Sequence, residues 1–169
     1  MQLKIYNCPD KDFKPFVADA ARFFAEKLIL NKRVLKNCHI KIRFTDKIKE
    51  YGYASVDEKH KGKKPRKFLI EIHPGIGARR ILETLAHEMV HIKQYVTGEL
   101  SDNMSAWYGI KIDSDKIDYW DHPWEIDAFG RENGLLYKYA VSHALWDIFD
   151  EFRNPDLPIV STPIKWKKT

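Results

Sequence analysis

The chain has 169 residues, of which 44% are hydrophobic and 13% aromatic, and its formal net charge is +5 at pH 7. That length predicts one domain over residues 1–169, with enough apolar material for a packed core. No stretch approaches the roughly 20 apolar residues of a membrane span, and the N-terminus lacks the apolar run of a signal peptide, so we expect a cytoplasmic protein that does not enter a membrane.

The first half of the chain predicts one helix followed by strands. Apolar side chains recur at spacings of three and four from Phe13 to Leu30, which is typical of an amphipathic helix. Apolar and polar residues alternate in His39–Phe44, and Phe68–His73 is a second strand closed by a Pro-Gly turn. Between them we expect a short strand near residues 51–56.

The second half predicts two long helices. Ala78–Thr97 has a broad apolar face, and Gly98 follows it as glycine commonly follows a helix. Trp124–Phe152 is helical in composition, but Gly130 and Gly134 favour a kink or a break within it. Strands followed by helices predict an α+β fold with a small mixed sheet.

Two segments hold much of the positive charge. A loop over Lys59–Lys67 is rich in lysine, and a tail over residues 154–169, expected to be extended, ends in further lysines. Such runs are most often solvated. A surface for nucleic acid or for an acidic partner is the alternative for the loop.

The two cysteines, Cys8 and Cys38, are far apart and form no Cys-x-x-Cys pair. They are too few for a disulfide scaffold or a cysteine-based structural zinc site. We expect free thiols in a reducing compartment.

The most informative motif is His87-Glu88-Met89-Val90-His91, which lies inside a predicted helix. Histidines four residues apart share one helix face, so both imidazoles can reach one ion at about 2.0–2.1 Å. The intervening Glu88 can act on a metal-bound water as a general base. The motif therefore predicts a catalytic zinc site rather than two unrelated histidines.

A catalytic zinc needs a third protein ligand from elsewhere in the chain. Glu125, at the start of the second long helix, is the favoured candidate. His122 is the rival at the same helix start. His143 is a poorer candidate, because five helical turns would place it about 27 Å from Glu125 unless the helix breaks.

With these residues the chain resembles the gluzincin type of zinc metallopeptidase, in which two histidines and a glutamate hold the ion. The longer pattern, over residues 85–94 and 119–128, is similar to small peptidase-like proteins of bacteria and phages. The Met-Val-His segment resembles SprT-like proteases, which act on DNA-bound proteins. Phe129 departs from the acidic residue that many gluzincins have four positions after the third ligand.

The resemblance implies a minimal zincin-like domain that holds one Zn²⁺ through His87, His91 and Glu125. Glu88 would be the general base in the hydrolysis of a protein or peptide substrate. The resemblance also suggests that substrate extends beside the strand Phe68–His73, adding an edge by backbone hydrogen bonds.

Other polar residues have open roles. Tyr119, His122 or Tyr137 could help to hold the oxyanion, and Asp127 or Glu132 could orient a ligand histidine. A different class of function, a nucleic-acid-binding module with structural zinc or none, is the alternative to a protease. An SprT-like protease would combine the two.

Overall fold

The computed structural model describes residues 1–57 and 64–145, and those residues form four helices and six strands. In chain order the elements are β1 (Gln2–Tyr6), α1 (Lys14–Leu28), α2 (Lys32–Lys36), β2 (His39–Phe44), β3 (Gly52–Val56), β4 (Lys67–Ile72), α3 (Ala78–Thr97), β5 (Ala106–Trp107), β6 (Ile110–Lys111) and α4 (Pro123–His143).

Four of the strands form a mixed sheet in the order β1-β2-β4-β3. β1, β2 and β4 are parallel, whereas β3 runs antiparallel to β4. Alternation decides which side chains enter the core: Ile40, Ile42 and Phe44 of β2 are buried, while Lys41 and Arg43 between them are exposed.

The helices α1 and α3 bury apolar stripes in a shared core with the sheet. On α1 the buried side chains recur at helical spacing, as in Val17, Ala20 and Phe24. α4 packs against α3 and reaches α1 through Tyr139, whose ring contacts Phe24 with 5.6 Å between centroids. α3 therefore lies between the sheet on one side and α4 on the other.

Local signals explain where the two long helices begin and end. α3 stops at Gly98, which has a left-handed φ of 81° and whose N–H bonds back to the carbonyls of Gln94 and Tyr95. α4 starts with Pro123, which suits a first turn because its missing N–H would have no helical partner.

The expected α+β class with a small mixed sheet is confirmed, and the main helices and strands lie close to their predicted positions. The strands β1, β5 and β6 and the short helix α2 were not predicted. The expected break of the last helix is wrong, since α4 continues unbroken past Gly130 and Gly134. It ends before Ala144, earlier than predicted, and residues 146–152 lie outside the described part.

One prediction about strand position needs correction. Phe68–His73 was expected to offer an edge to substrate, but β4 is paired on both sides, with β2 and with β3. Its apolar residues are compatible with either a central strand or an edge strand, so only the observed pairing distinguishes the two positions. The edge next to α3 belongs to β3.

Some expectations fall on residues that the structure does not describe. They are most of the basic loop, residues 58–63, and the tail over residues 154–169. Within the described ranges no helix is both long and apolar enough to cross a bilayer.

Candidate metal centre

Three side chains from two helices converge between α3 and α4. His87 and His91 lie one turn apart on α3, and their Nε2 atoms are 3.1 Å from each other. Glu125, in the first turn of α4, places Oε2 at 3.2 Å from Nε2 of His87 and Oε1 at 3.5 Å from Nε2 of His91. All three residues are buried.

These separations fit a single small cation. Ligands at about 2.0–2.1 Å from a tetrahedral ion are about 3.3 Å from one another, and the observed separations of 3.1, 3.2 and 3.5 Å bracket that value. The donor set contains two imidazoles and one carboxylate. The group can therefore hold a metal ion, and its chemistry matches what zinc accepts.

Each ligand histidine is held through its other ring nitrogen. Nδ1 of His87 lies 2.8 Å from a carboxylate oxygen of Glu132, and Nδ1 of His91 lies 2.9 Å from Oε1 of Gln94. When both imidazoles are neutral and donate their Nδ1 protons to these acceptors, both Nε2 lone pairs face the gap beside Glu125. Partners of this kind fix the tautomer and the ring orientation of metal-binding histidines.

Gln94 is a site residue that the sequence analysis did not identify. It is fully buried, and its amide nitrogen donates to the carbonyl of Trp124 at 2.9 Å and to Asp127 at 3.2 Å. Asp127 in turn accepts from Arg131 at 2.6 Å. Asp127, one of the two candidates for orienting a ligand histidine, thus contacts Gln94 and not a histidine. The available signal was spacing, since Gln94 follows His91 by three residues on the same helix face.

Glu132 supplies the acidic group that position 129 lacks. The acidic partner of His87 comes from one turn further along α4, and Phe129 instead packs its ring on His87, with 4.5 Å between centroids. Trp120 covers the other side of Phe129 at 5.0 Å. This aromatic packing contributes to the burial of His87, which is 8% exposed.

Glu88 points away from α4, toward the edge strand β3. Its carboxylate interacts with the backbone of Ala54 and with the charges of both ligand histidines. Gly52 provides the room, because a Cβ at that position would clash with Thr84 and lie 3.0 Å from an Oε atom of Glu88. Burial raises the pKa of Glu88 above its ordinary value, and the nearby imidazoles act in the opposite direction.

The electrostatics of the three converging residues are coupled. Burial lowers the pKa of His87, but the hydrogen bonds to Glu125 and Glu132 outweigh it and raise the pKa to about 9. For Glu125 burial acts to raise the pKa, and the contacts with His87, His91 and Tyr119 bring it well below its usual range. The metal-free centre is thus a buried carboxylate that stabilises protonated imidazole.

Tyr119 and His122 precede α4, but only one reaches the centre. The hydroxyl of Tyr119 donates to Oε2 of Glu125 at 2.9 Å. Burial and the neighbouring Glu125 raise the pKa of Tyr119, so it stays a proton donor. His122 instead contacts the carbonyl of Ser114 at 3.2 Å and stacks on Trp124, so it does not act as the third ligand here.

The two remaining candidates lie along α4, away from the cluster. Tyr137 is 51% exposed and follows Glu125 by twelve residues, or about 18 Å of helix. His143 contacts Asp19 of α1 at 3.1 Å through Nε2 and the carbonyl of Tyr139 through Nδ1. Because α4 is unbroken, neither reaches the ligands.

No protein-family model, curated protein or solved structure matches this chain. The function proposed below therefore follows from the geometry of the site.

Proposed function

We propose that this protein is a zinc-dependent metallopeptidase with a zincin-like active site. The observation that supports it most is the convergence of His87, His91 and Glu125 at tetrahedral spacing, with the buried Glu88 between the histidines in sequence. Three protein ligands with an open fourth position are the pattern of catalytic zinc, whereas structural zinc is usually closed by four.

Zinc held by the three ligands would polarise a substrate carbonyl and lower the pKa of a coordinated water. Glu88 accepts the proton of the attacking water and then donates it to the leaving amine. Its raised pKa suits both steps, because a carboxylate that binds a proton more readily than usual can take it from the water and then pass it to the leaving amine. Tyr119 holds Glu125 in place through its hydroxyl.

The substrate backbone binds along β3 in this proposal. β3 pairs only with β4 among the described strands, so its other edge can pair with an extended peptide. The carboxylate of Glu88 lies against this strand at Gly52 and Ala54. A peptide added to β3 therefore passes beside the general base.

The alternative of a nucleic-acid-binding module depends mainly on the loop Lys59–Lys67, most of which lies outside the described residues. A structural zinc needs no base, yet here a buried glutamate is kept beside the ligands at a desolvation cost. This favours the enzyme. Action on DNA-bound proteins, as in SprT-like proteases, would be an added property of the same enzyme.

The test compares Glu88→Gln with the unchanged protein, both loaded with zinc. We expect about one zinc per chain in each by mass spectrometry, and a loss of at least about a hundredfold in cleavage of a quenched fluorogenic peptide library by the variant. Glu83→Gln, on the same helix, is the matched control and should retain activity. Equal activity in Glu88→Gln, or no cleavage by the zinc-loaded unchanged protein, would contradict the proposal.

A further inference from the structure

A second concave surface lies at the opposite edge of the sheet from β3. It is an open groove of about 670 Å³ between β1 and the first half of α1, named here the β1–α1 groove. Four cationic side chains line it: Lys4, Lys11, Lys14 and Arg22. None of its lining residues belongs to the metal centre.

The positive side chains of this groove form no ion pairs within the described part of the chain. All four cationic residues are exposed, and none forms an ion pair with a described residue. Two nearby carboxylates have other partners. Asp10 accepts from the backbone N–H groups of Asp12 and Phe13, and Asp19 contacts His143 and the hydroxyl of Tyr139.

The floor of the groove is the free edge of a strand. β1 pairs with β2 on one side, and no other described strand pairs with it. An unpaired strand edge presents N–H and C=O groups that accept a further strand. Ala18 is the small residue between Lys14 and Arg22 on the facing stripe of α1, which leaves room above the strand.

We propose that the β1–α1 groove binds an acidic peptide segment in extended conformation, which adds to the sheet beside β1. Lys14 and Arg22 are eight residues apart, or about 12 Å along the helix. In an extended peptide, side chains four residues apart are on the same side at about 13 Å. The best ligand therefore carries acidic residues at alternating positions, so that the first and third of them meet Lys14 and Arg22.

The combination of edge and charge favours a peptide over a nucleic acid. A phosphate backbone can accept from the N–H groups of a strand, but it has no donors for the carbonyl groups that alternate with them, whereas an extended peptide supplies both. The apolar side chains Leu3 and Ile5 also line the groove and suit the aliphatic parts of peptide side chains. The inference is independent of the metal centre.

Anisotropy of labelled ligands tests the proposal on the full chain. The probe is a ten-residue peptide with glutamate alternating with threonine. It is compared with a peptide of the same composition whose glutamates are in one block, and with single-stranded oligothymidine. We expect the alternating peptide to bind most tightly, with an affinity that falls as salt is raised.

Charge reversal then locates the site. Lys14→Glu with Arg22→Glu should weaken binding of the alternating peptide by at least about tenfold, because two attractive contacts become repulsive. Lys32→Glu with Lys36→Glu, exposed positions on α2, makes the same change in net charge and should alter binding less than about twofold. Circular dichroism and zinc content check that both variants fold.

Four results would overturn the proposal. They are no binding of the alternating peptide at low salt, equal binding of the alternating and block peptides, equal weakening by both pairs of substitutions, or tighter binding of the oligonucleotide that is lost in the Lys14 and Arg22 variant. The last result would assign the groove to nucleic acid. Equal binding of the alternating and block peptides would remove the added strand and leave only charge attraction.

Discussion

The two faces of α3 are built from different chemistry. The face toward the sheet and α1 buries apolar side chains such as Leu85 and Met89, whereas the face toward α4 buries the ligand histidines. Every buried polar or charged residue within the described ranges belongs to α3 or α4. They are Thr84, His87, Glu88, His91, Gln94, Glu125 and Glu132.

This difference divides α3 into a face that stabilises the fold and a face that forms the candidate metal centre. Burying apolar area stabilises the fold without further conditions, whereas burying polar groups costs free energy unless each finds a partner. The ligand histidines meet that condition, because Nδ1 of His87 lies 2.8 Å from Glu132 and Nδ1 of His91 lies 2.9 Å from Gln94, whose amide donates to Asp127. Among the described residues the buried indole N–H of Trp124 has no partner. An apolar interface would hold α4 as well, so the polar interface supports the proposed metal site.

The largest effect should follow from removing a ligand. His87→Ala should weaken zinc binding at least about a thousandfold, because two remaining ligands do not form a stable site. Competition with a fluorescent chelator measures the affinity. His143→Ala is the control, since His143 contacts Asp19 instead of the centre, and a similar loss there would undermine the ligand assignment.

A substitution on the apolar face of α3 should lower the stability of the protein rather than its affinity for zinc. Leu85 is fully buried and lies about 160° around α3 from His87. Leu85→Ala should lower the free energy of unfolding of the metal-free protein by about 2–5 kcal/mol, measured in urea. Leu30→Ala is the control, because Leu30 is 84% exposed. If Leu85→Ala left stability unchanged, the division between the faces would fail.

Removing the charge that holds a ligand should have an intermediate effect. Glu132→Gln keeps the shape but weakens the acceptor of His87 Nδ1, so zinc affinity should fall about 10–100-fold. Glu26→Gln, the same substitution at an exposed position of α1, should leave affinity unchanged. Unchanged affinity in Glu132→Gln would mean that Phe129 alone positions the ring.

Competition between protons and zinc for His87 should change the zinc affinity by a smaller factor per pH unit than Glu132→Gln does. The pKa of His87 in the metal-free protein is raised to about 9, and a ligand imidazole must be neutral. Protons therefore compete with zinc below that pH, so affinity should rise about tenfold per unit from pH 6 to 8 and level off near 9. A flat profile from pH 7 upward would show that His87 is already neutral there.

The smallest effect should come from the edge strand. Gly52→Ala places a Cβ against Thr84 and Glu88, so it should shift the general base without touching a ligand. We expect zinc content to stay the same while peptide cleavage falls about tenfold. Gly77→Ala is the control, since nothing lies within 4 Å of a Cβ there. Loss of zinc in Gly52→Ala would mean that β3 supports the ligands instead.

Hydrophobic periodicity and glycine positions predicted the secondary structure that depends on neighbouring residues in the sequence. The strand His39–Phe44 and the helix Ala78–Thr97 have the predicted bounds, because alternation and helical spacing are visible in short windows and Gly98 supplies a stop. The strand Gln2–Tyr6 was not predicted, because an alternation of only five residues, with Leu3 and Ile5 half-buried, is a weak local signal. The end of α4 was placed too late, since a left-handed Ala144 has no local signal comparable to glycine.

The sequence by itself determined that His87 and His91 share one face of a helix, because residues four apart on an α-helix are about one turn apart. It also placed Glu88 beside them on the same helix. Only the tertiary structure decided what surrounds them. Glu125 and Glu132 reach His87 across 38 and 45 residues because α4 packs against α3, and β3 rather than β4 forms the sheet edge beside Glu88. Such contacts depend on packing and strand pairing between segments that are distant in the sequence, and the spacing of residues within one segment does not reveal them.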